Sequence, residues 1–233
     1  MSNTSARFYE RNLEWVMAHD AAAPVAVTLE TLSQPNTRYG AAVRFLVDNP
    51  ARDVVEIGCG NPLIPTVLAP TVKSFTALDI VADRLSETEL PNLHMVLADL
   101  DDDFPVADNS CDVVLAMMIV EHLFDPFHSF AEIARIVRPG GRVFMNLPNI
   151  GSLRCRADLL MGRLPVTSAH DWFERREWDG NHLHYFTVDS VRRIAELFRL
   201  EPVAMHPVGR FGALKRLRPQ LFCHEITFEF VRG

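Results

Sequence analysis

The 233-residue sequence has no run of about 20 apolar residues, which is the length that a membrane-spanning helix needs. Its N-terminus, MSNTSARFYERNLEW, also lacks the apolar stretch of an export signal. These two absences lead us to expect a cytoplasmic protein without a membrane partner.

Cysteine is scarce, with four residues that lie far apart in the chain: Cys59, Cys111, Cys155 and Cys223. No CxxC pair and no cysteine–histidine cluster with ligand spacing occurs, which argues against a structural zinc site. We therefore expect no disulfide bond and no bound metal.

Positive charge is also in deficit, because 23 Lys and Arg stand against 30 Asp and Glu, for a net charge of −7. Non-specific binding of nucleic acid depends on cations that neutralise phosphates, so we expect no nucleic-acid partner. The apolar fraction of 48% is ordinary for a soluble protein with a sizeable core. The length fits one large domain.

From residue 51 onward, short apolar runs alternate with amphipathic segments. Five strands are predicted at DVVEIG, SFTALDI, LHMVLAD, CDVVLAMM and RVFMNLP, with helices at LIPTVLA and PFHSFAEIARIV. RPGG is expected to stop the second helix, and PVAMHPV and HEITFEFV predict two last strands. Such a βαβ series predicts an α/β fold, with a parallel sheet between two layers of helices.

A glycine turn, EIGCGNP, follows the first predicted strand and contains Gly58 and Gly60. A dinucleotide fingerprint requires a further glycine at position 63, where the chain has Leu63. Two prolines in the same region, Pro62 and Pro65, lack the N–H groups that a pyrophosphate would use. These departures favour a cofactor without phosphates, S-adenosylmethionine (SAM), over NAD.

The same segment is expected to open a helix, with Asn61 as its N-cap and Pro62 as its first residue. Pro65 should weaken the first turn, because proline disfavours helical geometry at the residue before it.

Two acidic residues accompany the glycine turn. Asp79 closes the second strand, 23 residues after Glu56, where a carboxylate can accept both hydroxyls of a ribose. Glu56 is suited to the cationic amine of SAM, or else it is a buried acid that holds neighbouring backbone N–H groups; both roles can hold together.

Together these segments resemble the class I SAM-dependent methyltransferases, over roughly residues 38–205. The resemblance rests on VVEIGCG, ALDI, VLADLDDDFPVADNSCDVVLAMMIVEHLFDP, EIARIVRPGGRVFMNLPN and HLHYFTVDSVRRIAELF. LPNIGSLRCRADLLMGRLPV is similar to methyltransferase-like proteins associated with methionine biosynthesis, and HLHYFT to a group that includes glycan and natural-product methyltransferases. The family implies a three-layer Rossmann-like fold, with a mostly parallel seven-stranded sheet whose last strand is antiparallel.

The resemblance also implies most of a cofactor-binding set at the carboxyl ends of four strands, to which the residue chemistry above adds Glu56. It comprises Glu56, Gly58, Cys59, Gly60, Asp79, Ile80, Asp99, Leu100 and Met117. In this arrangement Asp79 takes the ribose hydroxyls, whereas Asp99 and the N–H of Leu100 bind the adenine.

The single domain then divides into four parts. We predict a helical N-terminal cover over residues 1–50, a SAM-binding core over 51–148 and a lid-like insertion over 149–181. The C-terminal helix and last strands occupy residues 182–233, with RFGALKRLRPQ as a basic loop.

Histidine is the usual base for a hydroxyl acceptor, because its pKa lies near neutrality. His122 follows the fourth strand, where the acceptor should arrive, although it could instead bond the backbone at a helix start. His182 is predicted to line the acceptor pocket, with His184 against the core. A strand over these two histidines would put both rings on one face, where Asp179 could complete a metal site, a reading that we disfavour.

The predicted function is methyl transfer from SAM to a small molecule, first to a hydroxyl of a sugar or natural product, and second to a nitrogen. An anionic acceptor is left open by five arginines that otherwise form a solvated face: Arg154, Arg156, Arg163, Arg175 and Arg176. A homodimer is compatible with the sequence. One rival is a catalytically silent methyltransferase fold that activates another enzyme, which Pro62 favours. The other is an NAD-dependent oxidoreductase, which the prolines oppose.

Overall fold

The computed structural model describes residues 27–60, 62–81, 90–168, 178–209 and 212–233. Residues 1–26 of the predicted helical cover lie outside these ranges, and so does the capping role of Asn61. So do three members of the predicted insertion, Trp172, Arg175 and Arg176. Within the described ranges, no helix has the length and apolarity needed to cross a membrane.

A seven-stranded sheet forms the centre of the molecule. In chain order the strands are β1 Asp53–Ile57, β2 Ser74–Asp79, β3 Leu93–Leu97, β4 Cys111–Met117, β5 Val137–Pro148, β6 Leu200–Pro207 and β7 Glu225–Arg232. Their order in the sheet is β3-β2-β1-β4-β5-β7-β6. β7 is antiparallel to both of its neighbours, whereas β1 to β5 pair in parallel. The predicted α/β fold with an antiparallel last strand is confirmed.

Helices connect and cover the strands of this sheet. In chain order they are α1 Leu29–Ser33, α2 Gly40–Asp48, α3 Leu63–Leu68, α4 Pro126–Ile136, α5 Leu153–Leu160, α6 Val188–Leu197, α7 Gly212–Leu217 and α8 Pro219–Phe222. Short 3₁₀ turns occur at Ala69–Thr71, Val120–His122 and Trp178–Asn181. α6 begins at a capping box between Thr187 and Ser190.

The core has one apolar cluster on each face of the sheet. Val54 and Val113 belong to the cluster that includes α2, whereas Val55 and Val114 belong to the one that includes α4. Successive residues of a strand point to opposite faces, so these apolar strands require helices on both sides. This alternation produces the predicted three-layer architecture.

The RPGG segment does more than end α4, contrary to prediction. Val137 and Arg142 both pair with β4, and the residues between them form an irregularity inside β5. A side chain at Gly141 would lie 2.8 Å from the carbonyl oxygen of Asp112, so glycine permits this close approach.

Two other local predictions were wrong. The segment RFGALKRLRPQ contains α7 and the start of α8, because a proline such as Pro219 is accepted in the first turn of a helix. α3 begins at Leu63, with Pro62 as its N-cap, and it includes Ile64. Pro65 is tolerated as its third residue, since the first-turn N–H groups of a helix have no intrahelical partner.

Candidate functional site

A cavity of about 360 Å³ lies where the first four strands reach their carboxyl ends. It is lined by eight of the nine residues of the predicted cofactor-binding set and by His122. These eight are Gly58, Cys59, Gly60, Asp79, Ile80, Asp99, Leu100 and Met117. Parallel α/β sheets bind ligands at this edge, because loops from several neighbouring strands converge there.

The strand order arranges the lining residues in a row. Asp99 follows β3, Asp79 ends β2, Gly58 follows β1 and Met117 ends β4. His122 lies in the short turn beyond β4, at the far end of this row. The cavity therefore presents carboxylates towards the β3 side and an imidazole on the β4 side.

Glycine occupies the two positions of the turn for different structural reasons. Gly58 has φ +66°, and a Cβ there would lie 2.4 Å from Cγ1 of Ile119, so internal packing requires glycine. Gly60 has φ +56°, but a Cβ there would meet nothing closer than the carbonyl oxygen of Gly58 at 3.9 Å. Open space beside Gly60 is what close approach of a ligand to the backbone requires.

Asp79 ties the glycine turn to β2. Its Oδ2 accepts the backbone N–H of Gly60 at 2.9 Å, and its Oδ1 accepts that of Val81 at 3.0 Å. A carboxylate has about four lone-pair positions, so both oxygens can still accept a ligand hydroxyl. Asp99 has a similar role in its own loop, where Oδ1 accepts the N–H of Asp101 at 3.1 Å.

Glu56 is the one member of the predicted set that does not line the cavity. Its side chain is fully buried, and Oε1 accepts the hydroxyl of Tyr39 at 2.6 Å. Burial raises the pKa of Glu56 to about 8, against a lowering effect of the Tyr39 hydrogen bond. Tyr39 itself lines the cavity, so Glu56 lies directly behind the wall.

His122 and His182, the predicted catalytic histidines, meet outside the cofactor-binding row. Their ring centroids are 4.8 Å apart, and the rings stand at 72° to each other. His122 lines the cavity, and its Nδ1 lies 3.3 Å from the carbonyl oxygen of Asn181. His182 is buried and is not a lining residue, which differs from prediction, and burial lowers its pKa.

A polar network holds His182 in place. Its Nδ1 is 2.7 Å from Oγ1 of Thr167, and that hydroxyl donates to Oδ2 of Asp179 at 2.6 Å. Asp179 also accepts the backbone N–H and the hydroxyl of Ser168. The network joins the end of the predicted insertion to the segment that contains His182.

The strand that would align His182 with His184 does not form. Residues 182–185 have no strand structure, and His184 is half-buried, with Nε2 3.1 Å from the carbonyl oxygen of Phe124. The carboxylate of Asp179 accepts hydrogen bonds from Thr167 and Ser168. These residues therefore do not make the metal site that we disfavoured.

A different group of potential ligands does converge. One ligand atom from each of Glu121, His122 and His182 lies within 4.8 Å of the other two. Glu121 is fully buried, and desolvation raises the pKa of its carboxyl group to about 8. In the sequence, the signal for Glu121 is its position next to His122.

Sequence reasoning also missed lining residues that no motif marks: Arg38, Tyr39, Ile64, Met118, Ile119 and Leu123. Arg38 brings a positive charge to the cavity wall, where it forms two hydrogen bonds with the carboxylate of Glu225, at 2.6 and 3.2 Å. In contrast, the arginines for which anion binding was left open are exposed in the described part of the insertion: Arg154, Arg156 and Arg163.

Residues 55–145 match the family described as "Methyltransferase domain". The chain is 29% identical over 147 residues to 27-O-demethylrifamycin SV methyltransferase of Amycolatopsis mediterranei, covering 55% of this chain and 52% of that protein. It is 31% identical over 101 residues to a probable S-adenosylmethionine-dependent methyltransferase of Mycobacterium tuberculosis, covering 42% of this chain and 36% of that one. The chain thus spans about half or less of the length of these curated relatives.

The fold is shared with a solved structure of Burkholderia thailandensis 1,6-didemethyltoxoflavin-N1-methyltransferase with bound 1,6-didemethyltoxoflavin and S-adenosylhomocysteine. The TM-score is 0.59 at 14% identity, over 98% of this chain and 87% of that one. Residues 55–145 thus form a methyltransferase domain, and the relatives of the chain include SAM-dependent methyltransferases. The sheet has the fold of the class I methyltransferases, whose cofactor is S-adenosylmethionine.

Proposed function

We propose that this protein transfers a methyl group from SAM to a small-molecule acceptor, most readily to a hydroxyl of a sugar or natural product. The observation that carries this proposal is the cavity at the carboxyl ends of the first four strands, because eight predicted cofactor residues and one imidazole line it. The relative named 27-O-demethylrifamycin SV methyltransferase supports a small natural product as the acceptor class.

The lining residues fit SAM, and each has a role at its own strand. Asp99 and Leu100 would hold the adenine, Asp79 the ribose hydroxyls, and the open backbone at Gly60 the methionine half. The departure at Pro62 does not remove a cavity wall, since Pro62 is not a lining residue. When bound, SAM supplies a methyl group that is already attached to a good leaving group.

Since the methyl group is activated in advance, the protein mainly has to align the acceptor and exclude water. Such positioning supplies roughly 7–11 kcal/mol of rate enhancement. Met117 and His122 line the β4 side of the cavity, next to the methionine half in this arrangement. We assign the acceptor to this side.

His122 is the group that would activate the acceptor hydroxyl. Its Nδ1 faces a backbone carbonyl oxygen, which can only accept, so a neutral ring holds its proton on Nδ1. Nε2 then has the lone pair that a proton acceptor needs. The ring of His182 packs edge-on against the ring of His122, with the centroids 4.8 Å apart. In the simplest form of the mechanism, His122 itself takes the proton of the acceptor hydroxyl.

Calorimetric titration with SAM, S-adenosylhomocysteine (SAH) and NAD tests the cofactor. We expect SAM and SAH to bind with 1:1 stoichiometry and NAD not to bind. Transfer of a radiolabelled methyl group into pools of extracted metabolites then tests the activity. The absence of SAM and SAH binding would refute the proposal, and NAD binding would restore the oxidoreductase alternative. SAM binding without transfer to any pool would favour a silent partner protein instead.

A further inference from the structure

We propose that Glu121, His122 and His182 bind one divalent cation, with Zn²⁺ as the best fit, at the acceptor side of the cavity. One ligand atom from each residue lies within 4.8 Å of the other two. The catalytic part of this inference rests on the proposed function, whereas cation binding itself does not.

Glu121 provides the first independent sign of a missing partner. Its carboxylate is fully buried, and neither oxygen has a hydrogen-bond partner among the residues that the structure describes. Buried polar atoms are nearly always satisfied, and an unpaired buried carboxylate is especially unfavourable. A cation is the partner that would satisfy both oxygens at once.

The nearby guanidinium of Arg38 is not the missing partner of the Glu121 carboxyl group. Arg38 acts on Glu121 and His182 only through its charge, and its guanidinium is hydrogen-bonded to Glu225. The Glu225 carboxylate largely offsets the repulsion that Arg38 would exert on a bound cation.

The two imidazoles are oriented as ligands. His122 has its Nδ1 at the carbonyl oxygen of Asn181, which accepts a proton but cannot donate one. At His182, the hydroxyl of Thr167 donates to Asp179, so its oxygen is left to accept from Nδ1. Both neutral rings are thereby held with the proton on Nδ1, and each presents a lone pair at Nε2.

This second-sphere pattern is typical of metal sites. A ligating histidine usually donates its other N–H to a carbonyl or, directly or through another group, to a carboxylate. Two histidines and one glutamate form a common ligand set of catalytic zinc, in which a fourth position stays open. Because His122 lines the cavity, that open position would face the acceptor.

The fit requires a small adjustment of the side chains. Tetrahedral zinc with bonds of about 2.1 Å holds its ligand atoms about 3.4 Å apart. The distances between the three ligand atoms therefore have to shorten by on the order of 1 Å, and rotation of the side chains can provide this change.

A bound cation would change how the hydroxyl is activated. An acceptor oxygen on the open position would have a lowered pKa, and its proton would pass to water. This oxygen would then form the new carbon–oxygen bond as the carbon–sulfur bond breaks, so that the sulfonium becomes a neutral thioether. In this form His122 acts as a ligand and the cation replaces it as the activating group.

The test uses untagged full-length protein that has been stripped with a chelator. Zn²⁺ is titrated in competition with a chromophoric chelator, and one equivalent is expected to bind. Glu121→Gln and His122→Asn should each weaken binding at least about 100-fold, since loss of second-shell partners alone costs about 10–100-fold. His128→Asn is the matched control, because its ring contacts the carbonyl oxygen of Asp102, away from the cluster.

Thermal melts establish that each variant is folded before its affinity is compared. If a variant does not fold, the wild-type protein is loaded with Co²⁺ and its absorption spectrum is used as the test instead. Intense bands of tetrahedral Co²⁺ support the site, and weak bands of octahedral Co²⁺ oppose it. Zn²⁺ affinity that is equal in the wild type, Glu121→Gln and His128→Asn would overturn the inference.

The two proposals fail in different ways. Methyl transfer that persists in protein that binds no Zn²⁺ would refute the cation site and leave the proposed function intact. Site-specific Zn²⁺ binding without SAM binding would uphold the cation site and refute the proposed function.

Discussion

The backbone N–H of Gly60 donates to Oδ2 of Asp79 at 2.9 Å. This bond fixes the glycine turn after β1 to the end of β2, so the two parts of the proposed cofactor site are one connected unit. Asp79 therefore shapes the turn, and in the proposed site the same carboxylate would accept the ribose hydroxyls.

Asp79→Asn is expected to weaken SAH binding by about 10–100-fold, because hydrogen bonds to a charged group contribute about 1.5–3 kcal/mol. Calorimetric titration with SAH measures the effect. Asp48→Asn, at an exposed position on α2, serves as the control. Equal affinity of Asp79→Asn and the wild type would remove Asp79 from the proposed site.

Gly58 and Gly60 are expected to respond differently to alanine. Gly58→Ala should cost about 2–4 kcal/mol of folding free energy, from its left-handed backbone and the clash with Ile119. Gly60→Ala should cost about 1–2 kcal/mol from backbone strain alone. Its methyl group would enter the open space of the cavity and lower SAM affinity at least about tenfold.

Chemical denaturation and calorimetry of the same two proteins separate these effects. The assignment of Gly60 to the methionine half is contradicted if Gly60→Ala binds SAM as the wild type does. A Gly58→Ala protein as stable as the wild type would contradict the packing argument.

Glu56 should make the protein less stable as the pH rises. Burial raises its folded-state pKa to about 8, above the ordinary value of 4.5 in the unfolded chain. Below pH 4.5 both states are protonated, whereas between 4.5 and 8 only the folded state holds the proton. Stability is therefore lost progressively across this window, at about 1.4 kcal/mol for each unit of pKa shift.

Glu56→Gln removes this titration and keeps an oxygen for the Tyr39 hydroxyl. Its melting temperature should exceed that of the wild type at pH 9, and the difference should shrink towards pH 4.5. Scanning calorimetry across this range measures it. A difference that does not vary with pH would show that Glu56 is not the titrating group.

Asp179 should be a major source of stability for the segment that positions His182. It is fully buried and accepts the backbone N–H and hydroxyl groups of Thr167 and Ser168. Asp179→Asn should cost about 2–4 kcal/mol, because an amide nitrogen cannot accept these bonds. The melting temperature should fall on the order of 5–10 °C.

The control for Asp179 is Asp189→Asn, since that side chain is exposed and its ion pair with Arg193 has an N···O distance of 3.9 Å. We expect this variant to change stability by less than about 0.5 kcal/mol. Similar melting temperatures for the two variants would contradict the role of the buried network.

His122→Asn should separate catalysis from cofactor binding. We expect SAH affinity to stay within about threefold of the wild type, because His122 lies beyond the proposed cofactor row. Methyl transfer should fall by about 10²–10⁴-fold, the usual contribution of a group that takes or polarises a proton. A parallel loss of SAH affinity would instead place His122 in the cofactor site.

Much of the site could be predicted because it is local to strand ends. Gly60, Asp79 and Met117 each follow or end an apolar run, and parallel strands bring these ends to one edge. The position of Glu56 had a signal too, since it shares a strand face with Val54, which packs in the cluster around α2. Alternation along β1 thus places Glu56 behind the wall, next to Tyr39.

The acceptor side could not be predicted in the same way. His122 and His182 are separated by 60 positions, and no repeating pattern relates them. The contact depends on a chain segment that has no regular strand, where the N–H groups of Leu183 and His184 both donate to the carbonyl oxygen of Glu121. Long-range hydrogen bonds of this kind are not encoded in periodicity.

By itself, the sequence determined the α/β layering, the strands that meet at the binding edge and the preference for a cofactor without phosphates. These depend on periodicity and on residue chemistry at strand ends, which are local properties. Only the tertiary structure decided that Glu56 is buried against Tyr39 and that Glu121, His122 and His182 converge. Those arrangements arise from packing between distant segments, and burial there removes charged groups from water.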